Sequence, residues 1–157
     1  MTSIDVGLRS FEELNEQIRI SSETDFTLYN VNGQRYIGCG LKGRNITING
    51  VPGNALGAVL DGSTIVVNNN AQDATGDTMN DGKIFIKGDC GDAVGYAMRG
   101  GAIYILGSAG YRAGIHMKAY QEKQPLIVIG ERVGSFLGEY QAGGTIIVLG
   151  LHQGGRP

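Results

Sequence analysis

The chain carries no block of basic residues, and its 13 lysines and arginines against 15 aspartates and glutamates leave a net charge near −2. Without a cationic surface, nucleic acid and anionic membranes are excluded as main partners. No apolar run approaches the roughly 18 residues that a bilayer-crossing helix needs. The two cysteines build no disulfide framework and form no C-x-x-C. The two histidines bear no spacing relation to a serine, cysteine or aspartate, so nucleophilic catalysis has no support. Met1-Thr2-Ser3-Ile4-Asp5 has neither a basic n-region nor an apolar h-region, which predicts no secretory signal and a cytoplasmic location. Helical periodicity is scarce too. Only Ser10-Phe11-Glu12-Glu13, a capping box, followed by Leu14 and Ile18, predicts a helix, over about 11–20.

What is abundant is glycine, 27 of 157 residues, well over twice the usual share of about 7%. Apolar residues still make up 41% of the chain, so the glycine serves backbone geometry within a packed protein. It recurs at a fixed step: Gly57, Gly76, Gly95 and Gly114 stand 19 residues apart, and Gly138 follows after 24. Ile46, Ile65, Ile84 and Ile103 keep the same 19, then Ile127 after 24 and Ile146 after 19. A period this short is the mark of a solenoid.

Each repeat holds two aliphatics two apart, from Ile46/Ile48 through Ile65/Val67, Ile84/Ile86, Ile103/Ile105 and Ile127/Ile129 to Ile146/Val148. Period two places both on one face of a strand. Coils are therefore expected to begin near 25, 44, 63, 82, 101 and 125, and the last is truncated after Gly150. The expected architecture is all-β: a single right-handed parallel β-helix of about six to seven coils, with a short N-terminal α-helix. Residues 1–24 form the N-terminal segment, whose helix caps the core or plugs its side, and residues 25–157 form the β-helix.

A second motif accompanies the period. The pattern G-x-x-G-x-x-x-G stands in full at Gly50, Gly53 and Gly57, at Gly88, Gly91 and Gly95, and at Gly107, Gly110 and Gly114. Gly76 and the pair Gly134 and Gly138 are its remnants in the other coils. These glycines are assigned a structural role. On these residues the chain resembles the GXGXG β-helix domain at the C-terminus of the glutamate synthase large subunit, over about residues 25–150. The likeness is greatest to the free-standing form of that domain. Related domains occur in N-methylglutamate synthase and formylmethanofuran dehydrogenase subunits.

The resemblance implies a structural subunit, without catalytic, cofactor-binding or metal-binding residues of its own. It would work with glutamine amidotransferase-type and FMN-binding glutamate synthase-type partners in nitrogen and glutamate metabolism. FMN, with an iron–sulfur cluster as a second candidate, would reside on those partners.

Other motifs have simpler readings. Gly38-Cys39-Gly40-Leu41-Lys42-Gly43 spells G-x-G-x-x-G, but a strand rather than a helix follows, so it lacks the context of a dinucleotide site. Cys39 and Cys90 fall on different columns, and with His116 and His152 they are not read as metal ligands. Asn54, Asp73 and Asp92 form a column that suits turn hydrogen bonding, with cation binding as the alternative. Leu60, Met79, Met98 and Met117 read as core filling.

Two features point to partners. The residues between the inward pairs, Thr47, Val66, Phe85, Tyr104, Val128 and Ile147, should face outward, yet all after Thr47 are apolar or aromatic. Val66, Phe85, Tyr104, Val128 and Ile147 thus make a candidate partner-facing stripe, for another subunit or for a homo-oligomer, unless the N-terminal helix covers it. The one break in period places an insertion at 116–125, where His116, Lys118, Tyr120 and Lys123 form a candidate docking loop. An autonomous enzyme or small-ligand binder, with its site near Asp73, Asp92 or this loop, is the competing expectation.

Overall fold

The computed structural model describes residues 1–151. Eight strands and one helix follow in chain order: β1 (Thr2–Asp5), α1 (Phe11–Ile20), β2 (Asp25–Asn32), β3 (Asn45–Val51), β4 (Asp61–Val67), β5 (Asp81–Ile86), β6 (Ala102–Ile105), β7 (Leu126–Ile129) and β8 (Thr145–Val148). The strands form one sheet in the order β1 to β8, and every adjacent pair is parallel. Consecutive parallel neighbours require the chain to travel once around between strands, so the protein is a β-solenoid of about seven turns.

The register follows the repeat. Ile46, Ile65, Ile84, Ile103, Ile127 and Ile146 lie directly over one another, and the insertion before Ile127 leaves the pairing undisturbed. The first five are at most 1% exposed, and burying each contributes roughly 1.5–3 kcal/mol relative to leaving it in water. Leu60, Met79, Met98 and Met117 are fully buried opposite them. The first coil is one residue longer than the period. Its register slips between Leu28 and Val31, where Asn30 takes a positive φ of 55°.

The other side of each coil is built from overlapping tight turns. In the coil that follows β5, Tyr96 N bonds Ala93 O and Met98 N bonds Gly95 O, at 3.2 and 3.1 Å. Ala93, Gly95 and Ala97 all have positive φ, at 56°, 65° and 51°. Each ordinary residue in that region costs about 1–2 kcal/mol, so something must hold it there. Neighbouring coils do: Ala93 N bonds Tyr111 O, Ala97 N bonds Ile115 O, and Gly95 N bonds Thr75 O on the opposite side. The same three-fold pattern of positive φ recurs at Ala55, Gly57 and Val59 and at Ala74, Gly76 and Thr78.

Two reasons therefore explain the glycines. Gly57, Gly76, Gly95, Gly114 and Gly138 have positive φ and face the core. Gly53, Gly88, Gly91, Gly107, Gly110 and Gly134 do not have positive φ. They are glycine because a β-carbon would strike the coil before it; at Gly91 and Gly110 it would overlap the carboxylates of Asp73 and Asp92.

The N-terminal segment adds more than a helix, because β1 pairs with β2 and forms a further rung. Ser10 is the N-cap of α1, its hydroxyl accepting from Glu13 N at 3.3 Å. Leu14 and Ile18 are fully buried. The helix takes the place of a turn segment and lies over the first coil. Asn15 donates to Tyr36 O at 2.8 Å and accepts from Gly38 N at 2.9 Å. Arg44 donates to the carbonyls of Ile18, Arg19 and Ser21, which closes the C-terminal end of α1. So α1 closes one end of the prism.

Candidate interaction face

The outward side of the sheet changes character along the solenoid. Over the first rungs it carries Ser3, Thr27, Thr47 and Thr64, with Tyr29 exposed on β2, and side chains bond from rung to rung: Asn45 donates to Asp25 at 2.8 Å and Asn68 to Asn49 at 2.9 Å. Over β5 to β8 the same positions become Phe85, Tyr104, Leu106, Val128, Ile147 and Leu149. Phe85 and Tyr104 stack with ring centroids 4.9 Å apart and planes 11° from parallel. Around them lies an apolar groove of about 600 Å³, lined by Val66, Phe85, Tyr104 and Val128 in its centre and by Leu106, Leu149 and Leu151 along one side. Lys87 is the charged residue in its wall. Leu106 and Leu149 are 64% and 50% exposed.

The structure therefore brings Val66, Phe85, Tyr104 and Val128 into one groove. Ile147 continues their column, paired in register with Val128, but stands outside the groove lining and 41% exposed. No residue of α1 lines the groove, so the helix does not cover this face as one sequence expectation allowed; it is held by Tyr36, Gly38 and Arg44 on the end coil. Leu106 and Leu149 were missed. They lie two residues beyond Tyr104 and Ile147, so extending the alternation by one step would have found them.

In the 116–125 segment His116, Lys118, Tyr120 and Lys123 are all exposed, and each has its own contacts. His116 belongs to the turn side, stacked between coils, with Tyr140 at 5.1 Å and Tyr96 edge-on at 5.7 Å. Lys118 bridges to Ala142 in the next coil. Tyr120 and Lys123 close a tight turn by mutual backbone bonds of 3.1 and 2.9 Å. Lys123 then folds back on its own prism, 3.5 Å from Asp81 and 3.4 Å from Asn80 O.

The Asx column is a ladder between coils rather than a set of self-contained turns. Asn54 accepts from Asp73 N at 3.1 Å, Asp73 from Asp92 N at 2.7 Å, and Asp92 from Tyr111 N at 2.8 Å. A second ladder runs beside it, with Asn70 accepting from Asp89 N and Asp89 from Ser108 N, both at 2.8 Å. Neither Asp73 nor Asp92 lines the groove.

Cys90 is buried beside Gln72 O, and burial pushes its thiol up to about 11. Cys39 is exposed on the first coil, its thiol also raised by partial burial. His152 lies outside the described residues. The G-x-G-x-x-G segment sits under α1, where Asn15 occupies the Gly38 amide. Among the described residues no group of three or more His, Cys, Asp or Glu side chains is placed to hold a metal ion. Nor is any helix among them long and apolar enough to cross a membrane.

The family model for the GXGXG motif matches residues 12–156. The chain belongs to the GXGXG family. This is the domain found in the glutamate synthase large subunit. An uncharacterized protein of Methanocaldococcus jannaschii is 48% identical over 160 residues, a match that takes in 98% of this chain and 61% of the relative. The chain thus spans about three fifths of that relative's length. No solved structure matches. In this chain the motif's glycines thus serve two ends: one class lies over core isoleucines, and in the other Gly88, Gly91, Gly107 and Gly110 clear the Asx ladders.

Proposed function

We propose that this GXGXG chain is a non-catalytic structural subunit of a glutamate synthase-type assembly in nitrogen and glutamate metabolism. Glutamine amidotransferase-type and FMN-binding subunits supply the chemistry, with FMN, and any iron–sulfur cluster, on those partners. Its task is rigid spacing, holding the ammonia-releasing and flavin sites in register, in the cytoplasm. The observation that carries this reading is the half-and-half character of the outward sheet. Asn45–Asp25 and Asn68–Asn49 bonds link the first rungs, whereas the rungs from β5 to β8 present a stacked Phe85–Tyr104 pair in an apolar groove. An exposed apolar patch of that kind marks an interaction surface. Family membership supports the partner class.

Affinity purification of the tagged chain from its native source tests the proposal. Amidotransferase-type and flavin-bearing subunits should co-elute, and Phe85→Ser with Tyr104→Ser should release them while the circular dichroism stays unchanged. Elution of the chain alone, with no affinity for such subunits, sinks the idea. The identity of the co-eluting subunits separates glutamate synthase from N-methylglutamate synthase or formylmethanofuran dehydrogenase.

The groove also favours a second reading, an autonomous binder of a small apolar ligand. That reading requires a ligand retained on purification, or a thermal shift across a metabolite panel that Tyr104→Ser abolishes.

A further inference from the structure

The outward face carries three columns of side chains, those of Thr64 and Lys83, of Val66 and Phe85, and of Asn68 and Lys87, each continued through the last coil. From β4 to β8 these columns hold two charged residues, Lys83 and Lys87, and no carboxylate. Both lie on the Phe85 rung, one on each side of the ring, and both are exposed. Among the described residues neither ammonium has an ion-pair or hydrogen-bond partner. The aspartate at the start of the same rung, Asp81, is engaged with Lys123 at 3.5 Å.

Whatever fills the groove over Phe85 lies between these two cations. Covering them strips water from the ammoniums, a cost that only carboxylates or other acceptors on the occupant offset. The groove runs across the strands, from Val66 over Phe85 and Tyr104 to Val128. The backbone groups beneath it are spent on the rungs to either side. An occupant lying along the axis therefore finds no backbone partner there and must satisfy its own N–H and C=O groups. A helix does so, and an extended segment does not. The dimensions agree. Lys83 and Lys87 are four residues apart on one extended stretch, about 13 Å, and a helix with its side chains is about 10–12 Å across. The coil steps from β4 to β8 cover about 19 Å, the length of a helix of about 13 residues.

We propose that the groove receives an amphipathic α-helix of a partner subunit. Its apolar residues, at i, i+3, i+4 and i+7, fill the channel from Val66 to Val128. Carboxylates stand on both flanks of the turn that passes between Lys83 and Lys87. Leu106 and Leu149 replace lysine further along the Lys87 column, so the acidic residues belong to the end of the helix over β5 and not to its whole length. The assignment rests on the proposed docking of another subunit to this face, and adds what the docking element is.

Two synthetic helical peptides test this against the full chain by fluorescence anisotropy. Both carry leucines at i, i+3, i+4 and i+7; one has glutamates on both flanks of an end turn, the other lysines. The glutamate peptide should bind at least tenfold tighter, and the gap should narrow as salt rises. Lys83→Glu with Lys87→Glu should invert the preference with the circular dichroism unchanged, and Phe85→Ser with Tyr104→Ser should remove binding of both peptides. Equal affinities, no binding of the glutamate peptide, or a preference that survives the lysine reversal overturns the proposal. So does another occupant: dodecanoate bound more tightly than the peptide through Lys87 alone, or a solution mass of twice 16.6 kDa that Phe85→Ser with Tyr104→Ser halves. The subunit reading fails separately, when the chain purifies alone from its source. Co-elution that survives Lys83→Glu with Lys87→Glu, yet is lost with Phe85→Ser and Tyr104→Ser, leaves that reading standing and overturns the acidic helix.

Discussion

A β-carbon placed on Gly95 would lie 2.5 Å from Cδ1 of Ile127, inside any real contact distance. The same clash meets Gly57 at Ile84, Gly76 at Ile103 and Gly114 at Ile146. Each of these four glycines thus lies beneath the leading isoleucine of the strand after next. The two periodic signals in the sequence are the halves of one contact.

Gly95→Val should therefore destabilise the fold by about 2–5 kcal/mol, combining left-handed strain with overpacking. Ala93 offers the control, since it has nearly the same φ but bonds outward to the next coil. Ala93→Gly should relieve strain and leave stability unchanged or raised by about 1 kcal/mol. Urea midpoints are the measurement: that of Gly95→Val should fall and that of Ala93→Gly should not. An unchanged midpoint for Gly95→Val would show that the glycine is not pinned against the core.

The Asx ladder predicts coupling between Gly110 and Asp92. A β-carbon at Gly110 would overlap the Asp92 carboxylate that accepts from Tyr111 N. Gly110→Ala should be markedly destabilising alone and less so in an Asp92→Ala background. A double-mutant cycle should return an interaction of about 0.5–3 kcal/mol. Additive effects would mean that the carboxylate is not what the glycine makes room for.

Arg44 ties the cap to the prism by donating to three carbonyls at the end of α1. Arg44→Ala should cost about 1–3 kcal/mol. Amide exchange should accelerate in α1 before it does in β5 or β6. Uniform acceleration across the chain would argue that α1 and the coils do not come apart separately.

Burial raises the Cys90 thiol from its ordinary value of 9.0 to about 11. The unfolded state then loses its proton first, so between those values the native state holds more protons. The contribution is complete below about pH 9 and is lost as pH rises towards 11, by roughly 2–3 kcal/mol. Cys90→Ala should flatten the alkaline limb of the stability profile. At pH 8 a thiol reagent should label Cys39 in the native protein and Cys90 only after unfolding.

The strand register was legible because it rests on side-chain volume at a fixed step. Ile46 to Ile146 announce both the spacing and the inward face, and the insertion before Ile127 left the step measurable on each side. The cap was legible through Ser10, Leu14 and Ile18. The first rung was not, because Thr2–Asp5 has no partner in the repeat and becomes a strand only by adding to β2. The turns at Ala93 and Ala97 were hidden for a related reason. Alanine carries no local preference for positive φ; the hydrogen bonds from the coils on either side impose it. The stripe through Phe85 and Tyr104 could be read from alternation, but the groove needed Leu106 and Leu149 in the adjacent column.

By itself the sequence determined the period, the parallel stacking and the family, because each depends on what recurs, and recurrence is visible in one dimension. The tertiary structure decided what each repeated residue is for. Gly57 and Gly95 face isoleucines, whereas Gly91 and Gly110 clear carboxylates, and both are simply glycine in the chain. His116 and Lys123 share a loop in sequence but make different contacts. One stacks between coils on the turn side, and the other folds back onto Asp81. The physical reason is that neighbours in a solenoid lie a full turn away along the chain. What a side chain touches is therefore set by the coil above or below it, which local sequence does not contain.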